Sequence, residues 1–475
     1  MSNRVLRVRE GVAELHERIK RIQGELEVDV DFPPDVIAAA KEAAANPRLP
    51  ELDRTDIPFI TIDPAGSKDL DQALHIERDG DGYVVHYAIA DLGAFVEPGG
   101  VIDQEVHRRG ESLYGADSIV PLHPRELSEG AASLLPDQVR PACLWTIKVD
   151  ATGDGSDAHV ERALVRSRAQ LDYVGAQESL EKGDADPVIQ LLEEVGKLRL
   201  HQEAERGGVN LPMPEQVIDC STSPWTLEYR RLLDVESWNA QISLLTGFAA
   251  ASMMVYARVG ILRTLPPPPP EAITRLHRTA RALGIDWPAE QTYPDFIRSL
   301  DPSKASHEAM AVASTTLLRG AGYAAFDGEI PAQAEHSALA SEYAHVTAPL
   351  RRLVDRYGLE VCLALSAGQE VPDWVRAALP DLPETMQKSG RMANRYENAV
   401  VDLMEAETLQ GRTGERFAGV VVATEHDDPR TGDAVVREPA VEARVTSEEP
   451  LPVGEDVELV LSEVDLDTRT VRFTL

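Results

Sequence analysis

Apolar residues in the first fifty positions recur at helical spacing. They predict an amphipathic helix around Val12–Ile22 and a second helix, started by proline, after Phe32-Pro33-Pro34 in the run VIAAAKEAAA. From Ile57 the period shortens to that of strands. PFITID is a brief apolar run ending on Asp63, and ALHIER and YVVHYAIADL flank Asp79-Gly80-Asp81-Gly82, the turn signal of a hairpin. ACLWTIKVDA predicts a further strand before a loop at Thr152–Ser156, and helical spacing dominates from Pro187 onward. Strands followed by helices indicate an α+β or mixed α/β fold rather than a doubly wound sheet. Pro266 to Pro270 end the preceding helix in this reading and form a stiff, extended connector. From about Glu415 short β-rich runs separated by Gly, Asp and Pro predict a small five-stranded barrel of OB type.

Composition changes this picture in three places. The formal net charge of −33 argues against broad, nonspecific binding to a polyanion, because such affinity comes from Lys and Arg neutralising phosphates. A narrow channel, where a few arginines and metal ions supply positive field locally, remains compatible with it. The three cysteines, Cys143, Cys220 and Cys362, are far apart and suggest neither a disulfide framework nor a zinc site. The N-terminus lacks the apolar core of a signal peptide, so a reducing cytoplasm is the expected compartment. The stretch Trp238–Ala257 carries no charge but contains Asn239, Gln241, Ser243 and Thr246, which predicts a buried core helix and no membrane span.

The chemistry concentrates in Ile62-Asp63-Pro64-Ala65-Gly66-Ser67-Lys68-Asp69-Leu70-Asp71-Gln72. Asp69 and Asp71 are two apart, so in extended chain they share a face, and Asp63 ends the strand before them. Three converging carboxylates suit hard divalent cations, which can activate water and stabilise a leaving oxygen in phosphodiester cleavage. In so acidic a chain the same cluster also reads as solvated surface.

The sequence around the cluster decides between these. IDPAGSKDLDQAL followed by YAIADLGAFV resembles the signature of the RNase II-type (RNB) exoribonucleases. RRGESLYGADSIVPLHPRELSEGAASLLPDQVRPA, SRAQLDYVGA, EYAHVTAPLRRLVDR and RYENAVVDLMEAETL are similar to later blocks of that family, in the same order, over about Asp53 to Leu409. The resemblance implies an RNB catalytic fold, a β-sheet flanked by helices, over 51–410. A helical extension at 1–50 precedes it and an S1/OB-like barrel at 411–475 follows. It implies 3′→5′ hydrolysis of single-stranded RNA to 5′-nucleoside monophosphates with Mg²⁺ or Mn²⁺; it names no protein partner.

By the same resemblance Asp63, Asp69 and Asp71 are the metal-binding and catalytic aspartates. Tyr114 stacks on the terminal base, Tyr173 contacts RNA near the scissile bond, and Arg351 grips phosphate, with Arg352 beside it. Glu397 lines the same pocket. Arg351 and Arg352 are also spaced to reach Asp355 along a helix. The chain departs from the family where a fourth aspartate usually follows: Gln72 offers an uncharged carboxamide oxygen, so one metal would be held more weakly. A second departure is Asn239-Ala240-Gln241, where relatives tend to carry a Glu-rich helix start. These departures keep open the alternative of a catalytically attenuated RNB-fold protein that binds RNA or acts as a scaffold. The nuclease reading expects residues 63, 69 and 71 to gather at the bottom of a tunnel admitting one RNA strand, with Arg351 close by.

Overall fold

The alternating run that begins at Phe59 closes on itself. In the computed structural model, which describes residues 13–116, 119–211, 213, 215–219 and 226–475, five strands form a closed barrel. They are Phe59–Asp63, Gln72–Asp79, Gly82–Ala90, Val139–Val149 and Gly155–Asp172. The second and third make the expected hairpin about Gly80-Asp81, with Gln72 opposite Ile89 and Asp79 opposite Gly82. Closure comes from a parallel pairing of first strand and last that sets Asp63 opposite Asp172. The sheet implied by the family resemblance is therefore curled into a barrel, and its longest strand, Gly155–Asp172, was not among those read from the sequence. Val160, Ala163 and Val165 on that strand are buried between more exposed neighbours, and they share a core with Phe59, Leu74, Tyr87 and Trp145.

Helices cover this barrel. Asp234–Ala257 is long and apolar enough to cross a bilayer, yet Val235, Trp238, Ile242, Leu245, Ala250 and Met254 along it are buried in the core. Leu353–Ser366 packs into the same core through Leu353, Val354, Tyr357 and Val361. Apolar positions all round a helix are what a core position requires. After Ala257 the chain turns at Arg258, which has a φ of 59°, into strand Val259–Thr264, paired with Gly322–Asp327. The element before the prolines is thus a strand, not a helix. Pro269 has the extended angles φ −64° and ψ 146°, and a helix starts at Pro270.

A second closed barrel occupies the C-terminal end: Arg416–Thr424, Thr431–Val436, Val441–Thr446, Asp456–Asp465 and Thr470–Thr474. Its one parallel pairing joins the third strand to the fifth. The 28-residue helix Leu382–Leu409 bridges the two cores: Leu382 and Met386 pack in the first, and Tyr396, Val400 and Leu403 in the second. The N-terminal helices divide in the same way. Leu15, Ile19 and Ile22 of Ala13–Glu25 pack in the second core, and Val36 and Ala40 of Pro34–Ala45 pack in the first. Val12 lies outside the described residues.

Candidate active site

Local packing explains how the aspartates come to share a face. Leu70, between Asp69 and Asp71, is fully buried; its N–H donates to Ser133 Oγ at 2.9 Å and its carbonyl accepts from Leu134 N–H at 3.0 Å. Plugging Leu70 into the core turns its two neighbours to the opposite side. The Asp71 carbonyl accepts from Ala90 N–H at 2.9 Å, which fixes the backbone where the hairpin begins. Asp63 ends the first barrel strand, held by its parallel partner.

Burial governs the electrostatics. Asp71 is 5% exposed, and its Oδ1 accepts the Leu350 N–H at 2.8 Å. Its Oδ2 lies 3.8 Å from Arg351 Nε. Desolvation raises the Asp71 carboxyl well above the ordinary carboxylate range, against the pull of Arg351. Burial first, and then the charge of Asp69, push Asp63 up to about 7, with Arg351 opposing. Asp69 is also raised, again chiefly by burial. Asp63 Oδ2 is buried without a hydrogen-bond partner. Among the described residues no three His, Cys, Asp or Glu side chains are already drawn into a ligand shell. The donor set nevertheless fits a divalent cation: the oxygens are hard, buried and mutually repelling, and one lacks any partner.

The other predicted residues separate into those brought to this cluster and those used elsewhere. Arg351 faces all three aspartates. Tyr114 feels the charges of Arg351, Asp69 and Asp71, and burial pushes its hydroxyl up to about 12. Tyr173 starts the helix Tyr173–Lys182, and its hydroxyl accepts from Asn239 Nδ2 at 3.1 Å. It stands one residue removed: buried Tyr87 feels Tyr173 as well as Asp63 and Asp71. Asn239, one of the departures from the family pattern, is thus a hydrogen-bond partner of Tyr173.

Three predicted residues have partners of their own. Arg352, expected to touch RNA, makes two 2.8 Å hydrogen bonds to the fully buried carboxylate of Asp355. Glu397 lies on the bridging helix, and burial first, then the charge of Glu111, lifts it to about 7. The Gln72 amide donates to the Thr347 carbonyl, so the loop sets its direction.

Other members of the site went unread. Glu111, itself raised by burial, feels Arg352, Arg263 and Arg351. The Arg263 guanidinium lies 4.7 Å from the Tyr323 ring centre, and the Tyr323 hydroxyl is 2.7 Å from His345 Nδ1. Glu111 sits in the block RRGESLYGAD and was within reach of the sequence; the Leu350 N–H, a backbone group, carries no sequence signal. A cavity of about 420 Å³ is lined by His107, Arg109, Glu111, Leu113 and Lys388 among others. None of the three aspartates lines it, so it is not the tunnel expected around them.

Family comparison covers both barrels. A model of the RNB domain matches residues 52–360, more than half of the chain. The chain belongs to the RNB family. A model of the RNase II-type exonuclease C-terminal S1 domain matches residues 415–475, the second barrel. The RNB match contains every predicted site residue except Glu397, which lies between the two matched regions. Ribonuclease R of Escherichia coli (strain K12) is 26% identical over 411 residues, covering 81% of this chain and 50% of that protein. The probable exosome complex exonuclease RRP44 of Caenorhabditis elegans is 29% identical over 325 residues, covering 65% and 34% respectively. This RNB chain therefore spans about half the length of these Ribonuclease R relatives. In fold it is similar to Mycoplasma genitalium RNase R in its apo form, with TM-score 0.85, 20% identity, and 98% of this chain and 78% of that one covered. Yeast Ssd1, a pseudonuclease, gives TM-score 0.72 at 15% identity, covering 91% and 55%.

Proposed function

We propose that this RNB chain is a divalent-metal-dependent 3′→5′ exoribonuclease that hydrolyses single-stranded RNA to 5′-nucleoside monophosphates, acting in the cytoplasm. The observation carrying this reading is that buried Asp71 and the partly buried Asp63 and Asp69 share the field of the half-exposed guanidinium of Arg351, 3.8 Å from Asp71. Ribonuclease R as a matching relative, and an RNase R described in complex with single-stranded RNA, support the substrate class.

Asp63, Asp69 and Asp71 would hold the cations, Mg²⁺ or Mn²⁺. Bound divalent ions supply a hydroxide-like nucleophile at neutral pH and neutralise charge on the reacting phosphate. The Leu350 N–H fixes one oxygen of Asp71 and leaves the other toward Arg351. Arg351 pairs with the phosphate and stabilises the charge that builds on it as the 3′-oxygen departs. Tyr114 offers a ring for the terminal base, a contact worth about 1–3 kcal/mol that tolerates any base.

The test is incubation of the purified chain with end-labelled oligo(A) in Mg²⁺ and in Mn²⁺, beside Asp71→Asn. The natural chain should give a ladder of shortened products. The variant should still bind RNA while turnover falls by at least about 10²-fold, as expected when several kcal/mol of charge stabilisation is lost. Equal turnover in the two would remove the assignment. Gln72 and the absence of a preformed ligand shell among the described residues favour a second reading, an attenuated RNA-binding or scaffold protein. Binding of RNA with no nucleotide release in either metal would select it.

A further inference from the structure

The geometry points to Gln72 as a positioning residue, whose side-chain amide straps the Thr347–Arg351 segment, and Arg351 with it, onto the start of the aspartate hairpin. Two consecutive residues grip the segment at two points. Gln72 Nε2 donates to the Thr347 carbonyl, and Asp71 Oδ1 accepts the Leu350 N–H at 2.8 Å. Thr347 is 3% exposed and Leu350 1%, so the carbonyl at 347 is out of reach of bulk water and needs a protein donor. A carboxylate has no proton to give, and an amide turned the other way would set oxygen against oxygen. The chemistry of the contact therefore selects a carboxamide and fixes its orientation.

The segment is anchored on its other sides as well. Ala348 N–H donates to Asp355 Oδ1 at 2.7 Å, Ser112 N–H donates to the Arg351 carbonyl at 3.0 Å, and His123 Nδ1 lies 3.1 Å from the Leu350 carbonyl. These hold it to the helix and to the strand at Tyr114. Gln72 and Asp71 hold it to the hairpin that carries the aspartates, which is the direction that sets the 3.8 Å between Arg351 and Asp71. Its nitrogen so engaged, Gln72 aligns the arginine with the carboxylates, and in this proposal the cations rest on Asp63, Asp69 and Asp71 alone. The consequence for turnover rests on the nuclease reading above; the strap does not.

The experiment is hydrogen–deuterium exchange on the full chain, following peptides that span residues 345–353 in the natural protein, Gln72→Met and Gln72→Glu. Methionine fills similar space without a donor, and glutamate keeps the shape while replacing the donor with an acceptor. Exchange in this segment should quicken about three- to tenfold in both variants, the scale of one lost hydrogen bond, while the rest of the barrel stays protected. Mn²⁺ alone, titrated without RNA, should bind Gln72→Met within about twofold of the natural chain, because the ligands are unchanged. On oligo(A) the variants should lose kcat by more than they raise KM, since a displaced Arg351 gives up charge stabilisation in the transition state as well as its one phosphate contact. Unchanged exchange in Gln72→Met overturns the strap. An approximately tenfold loss of Mn²⁺ affinity in Gln72→Met with a gain in Gln72→Glu overturns it too, by making residue 72 a ligand. A natural chain that releases no nucleotide defeats the nuclease reading and leaves the exchange result to decide the strap.

Discussion

Arg351 keeps 43% of its side chain exposed and faces carboxylates, while Arg352 next to it is spent on Asp355. The two should respond differently to the same change. Arg351→Ala should leave the urea midpoint nearly unmoved and cut turnover by roughly 10²–10³-fold, the usual cost of a charge-stabilising donor. Arg352→Ala should cost about 3–5 kcal/mol of stability, because it strands a buried carboxylate. Matching denaturation curves for the pair would refute this division. The sequence suggested both arginines for phosphate and also gave both a route to Asp355; spacing could not choose, because the choice depends on Arg352 preceding the helix whose third residue is Asp355. His123 makes a second residue-level prediction. It is 1% exposed, its Nε2 has no partner, and burial pushes its pKa down to about 4 from 6.5. Between those values the unfolded chain takes up a proton that the folded chain refuses, so stability is full above about pH 6.5 and falls as pH drops toward 4. The loss is at most about 3 kcal/mol, and His123→Leu should flatten that part of the profile in denaturation at pH 7 and pH 5. A variant that keeps the natural slope would show that other groups set it.

At the scale of elements, close approach of the buried helix Asp234–Ala257 to the segment after Ser341–Glu342 depends on one small residue. A Cβ on Gly247 would sit 2.0 Å from the Tyr343 ring and 2.8 Å from the Ala344 carbonyl oxygen, while Gly247 O already accepts the Ala344 N–H at 3.2 Å. Alanine is ordinarily better than glycine in a helix by about 1 kcal/mol, yet overpacking of this kind costs about 1–3 kcal/mol. Gly247→Ala should therefore lower the urea midpoint; a rise would mean that Tyr343 yields freely. That helix was legible because its apolar residues run round every face. The hairpin was legible because alternation and an Asp-Gly turn agree. The closing strand Gly155–Asp172 was not: Glu161 and Arg162 stand together between buried Val160 and Ala163 and break its alternation. Its parallel pairing with Phe59–Asp63 joins residues about a hundred positions apart, which no local pattern records. Gln72 was noticed for its composition, but its contact with Thr347 was not legible for the same reason, since its partner lies 275 residues away.

For the whole molecule, a net charge of −33 would have to coexist with the proposed binding of a polyanion. Much of the chain's arginine is committed: Arg162 to Asp91 and Glu360, Arg356 to Asp103, Arg230 to Glu215 and Glu236, Arg376 to Asp327. On the second barrel Arg416 pairs with Glu458 and Arg444 with Glu425 and Asp433, so its basic residues are largely answered by acidic neighbours. Arg351 and Arg263, the latter over its tyrosine ring, place positive charge toward Asp63 and Glu111. RNA binding by this chain should then involve few phosphates, held at the site rather than across an open surface. Neutralising about two to four phosphates on a single strand gives a slope of log affinity against log salt between about −1.4 and −2.8. Fluorescence anisotropy of the Asp71→Asn variant with labelled oligo(A), from 50 to 200 mM salt (roughly 18-fold weakening for three phosphates), measures it directly. Arg351→Ala in that background should flatten the slope by about 0.7, one phosphate's share. A slope steeper than about −5 would require a basic surface beyond the site, and the channel-only account of binding would fail.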